Sequence, residues 1–144
     1  MVKISKDLVK LILLQKRRVW KENLAKLGLL VSDKKVGVVD EVRFLRRSSS
    51  MNCCEYFSGA DSGQVAKAMS TIVKERKVLR GLILLHALNS CNEGYDYIGY
   101  EYSSAIKKWG MNTDGFLFLI CADDELFAFV KNSGDFKKVE LSYV

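Results

Sequence analysis

Proline is absent from this sequence, and histidine occurs once, as His86. Without proline, no Pro-rich linker divides the chain, and its turns must be made by Gly, Asn, Asp and Ser. A single imidazole excludes any zinc site built on two histidines. The four cysteines, Cys53, Cys54, Cys91 and Cys121, include no Cys-x-x-Cys pair, so the common zinc spacings are missing. The glycines are scattered, which leaves no phosphate-cradling loop. The longest apolar runs fall far short of a membrane span. The opening "MVKISKDLVKLILLQKRR" is interrupted by Lys6, Asp7 and Lys10 and is followed by no small-residue cleavage site, so no signal peptide is expected. These absences point to a soluble, intracellular, cytoplasmic protein with no membrane partner.

What is present is ordinary for a globular protein: 144 residues, 49% apolar and 28% charged. A chain of this length buries about two thirds of its unfolded surface. One domain over residues 1–144 is expected. The net charge of +6 permits an anionic partner without demanding one.

Hydrophobic periodicity predicts a first helix from residue 5 to about 23, with Ser5 as N-cap and Leu8, Leu11, Ile12 and Val19 on its apolar side. Lys6, Lys10, Arg17 and Lys21 fall within an arc of about 60° and form a basic stripe opposite. Strands are expected over 27–31 and 36–44. The polar stretch from Leu45 to Gly63 has no period, and Arg43, Arg46 and Arg47 make its start basic. A second helix is expected over 61–77, with Val65, Ala68, Met69, Ile72 and Val73 on one face and Lys67 and Lys74 opposite. The run "GLILLH" (81–86) predicts a strand buried on both faces, hence central. Tyr102, Ala105, Ile106 and Trp109 mark a short third helix ended by Gly110. Strands over 115–122 and 126–130 form a hairpin, with Cys121 as a small buried hydrophobe. A last edge strand, 136–143, carries Lys137 and Lys138 as guards against aggregation. The predicted class is α/β (α+β), a mixed central sheet flanked by helices in the order α-β-β-α-β-α-β-β-β.

Several residue sets invite a chemical reading. His86, Glu93 and Asp96 are legitimate metal ligands, with Glu22 as a conceivable base; "NEGYD" is equally a loop of good turn formers. Cys53, Cys54, His86 and Cys91 form another zinc set, against which free thiols are the plainer reading. Ser103 or Ser104 with His86 and Asp96 lacks a nucleophile elbow, and helix capping accounts for the serines. Tyr95, Tyr97 and Tyr100 cluster in one loop, where tyrosines stack on bases or anchor a protein partner. Lys16, Arg17, Arg18, Arg46 and Arg47 have the chemistry to contact phosphates.

The order of elements resembles that of the MPN domain, the fold of the JAMM zinc isopeptidases and their inactive relatives. The likeness runs through "ISKDLVKLILLQ", "LGLLV", "VGVVDEVRF", "QVAKAMSTIVKERKVLRGLILLH" and "GFLFLICADDELFAFV", nearly the whole chain. The family's pattern places a Glu three residues before a Gly, then His-x-His-Pro, then Ser-x-x-Asp. Here Gly28 fits the glycine, but Ala25 stands where the Glu belongs. His86 fits the first ligand, Leu88 falls on the second and Asn89 on the proline. Three residues after Ser103 and Ser104 stand Ile106 and Lys107, not Asp. One imidazole cannot hold a catalytic zinc, so the resemblance implies a pseudoenzyme with no cofactor and His86 as a relic. Inactive members of the family act as scaffolds. The expectation is therefore a non-catalytic protein-interaction module with a protein partner or a homodimeric state. Its surface candidates are Lys6, Lys10, Arg17, Lys21, Arg46, Arg47, Tyr95, Tyr97 and Tyr100. The alternatives are a small basic nucleic-acid-binding protein and a divergent metal-dependent hydrolase.

Overall fold

A computed structural model of the chain describes residues 2–22, 26–33, 37–45, 62–85, 114–122, 125–132 and 135–144. Its elements in order are β1 (Val2–Ile4), α1 (Lys6–Glu22), β2 (Lys26–Asp33), β3 (Glu41–Phe44), α2 (Ser62–Lys74), β4 (Lys77–Leu85), β5 (Leu117–Ala122), β6 (Glu125–Asn132), β7 (Asp135–Val139) and β8 (Leu141–Tyr143). Six strands form one sheet in the order β3-β2-β4-β5-β6-β7, and β1 pairs with β8 in a second, two-stranded sheet. The large sheet is mixed: β4 is antiparallel to β2 and parallel to β5, and the other neighbours are antiparallel. The fold is α+β.

Alternation along the central strands separates two cores. Leu27, Leu29 and Val31 of β2, Leu82 and Leu84 of β4, and Phe118 and Ile120 of β5 join Val65 and Ile72 of α2. The intervening Leu30, Ile83, Leu85, Leu117, Leu119 and Cys121 join Leu8 and Ile12 of α1. The helices thus cover opposite faces of the sheet. A strand apolar at successive positions suits such a place, and β4 is buried without interruption from Gly81 to Leu85.

The start of α1 and the end of α2 rest on identifiable chemistry. The Leu8 N–H donates to Ser5 Oγ at 3.4 Å, and Asp7 sits in the positive first turn of α1. α2 closes through Arg76, which takes a left-handed φ of 58° and donates its N–H to the Val73 carbonyl at 3.0 Å.

Several expectations are corrected here. Of the predicted strand 36–44, the described residues 37–40 stand outside β3, which is Glu41–Phe44, because Val39 leaves the large sheet and bridges Ile4 instead. The predicted strand 136–143 divides at Glu140. Its first part pairs with β6 as the sheet's edge, and its second runs beside β1. A strand, β1, precedes the first helix. The Val39 N–H donates to Lys3 and the Val144 N–H to Ile4, so β1 lies between β8 and Val39. Val73 is 72% exposed and does not belong to the buried face of α2. The expected third helix, around Tyr102–Trp109, lies outside the described residues.

Two glycines mark close approaches. A Cβ on Gly81 would sit 1.8 Å from the Leu117 carbonyl oxygen, inside the β4–β5 pairing. On Gly28 it would meet the side chains of Val42 at 2.8 Å and Ile83 at 3.0 Å. Backbone cannot step aside as side chains do. Gly81→Ala is therefore expected to cost more than about 3 kcal/mol, and Gly28→Ala about 1–3 kcal/mol. Urea denaturation of both variants checks the ranking, and equal losses would contradict it.

Candidate functional site

α1 offers its cations to solvent because its buried arc is narrow. Leu8, Ile12 and Lys16 are buried, one turn apart, and Val9 and Leu13 are half-buried beside them. At about 100° per residue, a side chain two positions from Ile12 points to the opposite side. Lys10 and Leu14 both do so. Lys6, Lys10 and Arg17 are exposed, as the sequence leads one to expect, and Arg18 joins them. Lys21 lies in the last turn of α1, with its side chain outside the described residues.

Two sequence readings of this helix fail. Lys16 is 3% exposed and cannot belong to a phosphate-contacting Lys16-Arg17-Arg18 run. Leu11, assigned to the apolar side, is 43% exposed, and Leu14 is 50% exposed. The outer face of α1 therefore carries a leucine pair beside its basic stripe, which the charge count alone did not suggest. The signal was present: Leu14 is three or four residues from Lys10, Leu11, Arg17 and Arg18, the spacing of helix-surface neighbours.

A second charged group lies on the α2 face of the sheet, at its β3 edge. The Arg43 guanidinium donates from Nε to Glu41 at 2.7 Å and from its terminal nitrogen to Glu75. Lys77 Nζ donates to the other Glu41 oxygen at 2.7 Å. Arg43 was expected to make the following loop basic, but two carboxylates meet it. Its pKa is pushed further up by its bonds to Glu41 and Glu75. The Arg43 bond holds the Glu41 carboxyl below the usual range, against a partial burial that raises it, and Lys77 assists. This group is structural: it ties β3 to the end of α2 and the start of β4.

A third polar contact sits at an irregularity. Between Leu30 and Val31 the register steps from Gly81 to Leu79, leaving Arg80 as the extra residue of a bulge. Arg80 Nε donates to Oγ of the fully buried Ser32 at 2.6 Å.

The remaining sequence candidates, Arg46, Arg47, His86, Glu93, Asp96, Tyr95, Tyr97 and Tyr100, lie outside the described residues, as do Cys53, Cys54, Cys91, Ser103 and Ser104. Among the described residues, no three His, Cys, Asp or Glu side chains gather as a metal site, and no helix is long and apolar enough to cross a membrane. Of the MPN pattern's positions, Gly28 is described, and close packing under Val42 and Ile83 accounts for it.

No family model and no curated protein matches the chain. Among solved structures, the chain is similar to the solution structure of protein DSY2949 from Desulfitobacterium hafniense. The TM-score is 0.68 at 14% identity, covering 100% of this chain and 93% of that one. Such a likeness speaks to the fold.

Glu41 gives a pH prediction. Its pKa is lower in the folded state, so its contribution is complete above the unfolded carboxylate pKa and is lost as pH falls through the folded value. The group is solvent-facing and screened, so Glu41→Gln is expected to cost no more than about 1 kcal/mol at pH 7. Urea denaturation should show that difference shrinking below about pH 4. A pH-independent difference would mean that the carboxylate charge contributes nothing.

Proposed function

We propose that this chain is a non-catalytic MPN-like module that works by binding another macromolecule, as a protein-interaction or scaffold domain. The observation that supports it is the outer face of α1, where Lys6, Lys10 and Arg17 stand exposed beside the exposed Leu11 and Leu14. Exposed leucines beside a cationic stripe have the make-up of a contact surface rather than of a purely solvated helix face. The sequence adds the other half of the reading. Ala25, Leu88 and either Ile106 or Lys107 stand where the resembled family keeps its base and two zinc ligands.

The basic stripe also supports a second reading, nucleic-acid binding, in which Lys6, Lys10 and Arg17 would meet phosphates. The divergent metal-dependent hydrolase remains the third, resting on His86, Glu93 and Asp96.

Three measurements on the untagged protein separate these readings. Light scattering and native co-purification are expected to show a dimer or a stoichiometric protein partner; a strict monomer that retains nothing would count against the binding module. Anisotropy with labelled DNA and RNA across a salt series is expected to stay flat, and tight salt-dependent binding would favour the second reading. Elemental analysis of wild type and His86→Ala is expected to find no stoichiometric metal. Zinc present in wild type and lost in the variant would overturn the non-catalytic reading.

A further inference from the structure

The outer face of α1 has more chemical content than its charge. Leu14 lies at its centre, with Lys10 and Arg18 four residues away on either side and Leu11 and Arg17 three residues away, all of them exposed. Among the side chains described on this face, the acid is Asp7, in the first turn and four residues from Leu11. The helix cannot rotate to hide the leucines. Leu8 and Ile12 are 3% and 0% exposed and are held against Leu30, Ile83 and Leu119 of the sheet.

The pattern discriminates among occupants. A phosphate backbone would use the cations and leave both leucines bare. A lipid surface calls for a broad apolar face, and the broad apolar face of α1 is already spent on the sheet. A second copy meeting through the same patch, with Leu14 near the two-fold axis, would set Lys10 of each copy against Arg18 of the other. An acidic segment with apolar residues at helical spacing satisfies both halves at once.

We infer that the outer face of α1 is a docking surface for an acidic amphipathic protein segment, whose apolar side chains cover Leu11 and Leu14 while its carboxylates meet Lys10, Arg17 and Arg18. This rests on the binding-module reading and gives that module's partner a chemistry. The leucines contribute a contact insensitive to salt, and the cations steer the encounter and fix its register.

The test uses the full chain and a labelled synthetic peptide of about 18 residues, long enough to sustain a helix, with leucines on one face and glutamates beside them. Its controls are a scrambled peptide of the same composition, a DNA duplex, and vesicles of phosphatidylserine in phosphatidylcholine. The amphipathic peptide is expected to bind about tenfold or more tightly than the scramble. Leu11→Gln with Leu14→Gln should weaken it about tenfold, and Lys10→Glu with Arg17→Glu should weaken it further. Val73→Gln, on the exposed side of α2, should leave it unchanged. These positions are solvent-exposed, and circular dichroism confirms that each variant is folded. Equal binding of the scramble, indifference to the leucine pair, or preferential binding of DNA or vesicles would each overturn the inference. Repeating the native co-purification with Leu11→Gln/Leu14→Gln separates the two claims. A partner retained equally by that variant places docking elsewhere and leaves the module intact. Nothing retained by either protein, and no dimer, removes the module itself.

Discussion

The contact on which the structure depends is the passage of β5 beside Gly81. There β4 carries no side chain, and the Leu117 carbonyl occupies the space that a Cβ would take. β4 is the strand that both helices use: Leu82 and Leu84 face α2, and Ile83 and Leu85 face α1. Its parallel partner β5 registers on it from Gly81 onward, and its antiparallel partner β2 pairs along its whole length, with the bulge just before Gly81. Fixing that one approach sets the pairing of three central strands, and the alternation of side chains then sets which core each helix closes.

From that centre the order of the sheet is a matter of chain direction. The antiparallel pairs β2–β3, β5–β6 and β6–β7 follow one another in sequence with short connections, while the parallel pair β4–β5 needs a long return. The small β1–β8 sheet works differently. It joins distant parts of the sequence beside the start of α1, and Val39 bonds to the other edge of β1. The Lys6 N–H, an orphan donor of the first helical turn, finds the Val144 carbonyl at 3.0 Å. Placement of the basic helix face is therefore coupled to both this clasp and the sheet below.

Elements with a strong period were legible in the sequence, and elements defined by pairing were not. α1, α2, β4 and the β5–β6 hairpin declare themselves by apolar spacing, and Cys121 was legible as a core residue. β1 and β8 are three residues each, too short for any period to register. The division at Glu140 is equally silent, because alternation continues through it while the hydrogen-bond partner changes from β6 to β1. Side-chain burial at the helix margins was misread for a related reason. Leu11 and Val73 are apolar and near the buried arc by sequence, yet the sheet meets only the centre of each arc. Lys16 shows the converse, a charged residue placed by its neighbours Leu8 and Ile12 on the buried side. Arg43 looked like part of a basic loop because Glu75 is 32 residues away, a pairing that only the fold creates.

The two charged groups of the surface differ in how far their charge is already used. At the β3 edge, Glu41 and Glu75 surround Arg43, and Lys77 completes the set; carboxylate and cation are matched, and the field they send outward is small. On α1, the first-turn acid Asp7 is followed by Lys10, Arg17 and Arg18, so the outer face keeps a positive excess among the described side chains. A surface that must attract an anionic partner needs that excess, because long-range steering scales with net local charge rather than with the number of charged residues. It also needs something that holds once the encounter is made and salt has screened the attraction. Leu11 and Leu14 are the groups on this face able to do that, and their position alongside the cations, with Leu14 flanked by Lys10, Arg17 and Arg18, makes a single partner segment sufficient for both contacts.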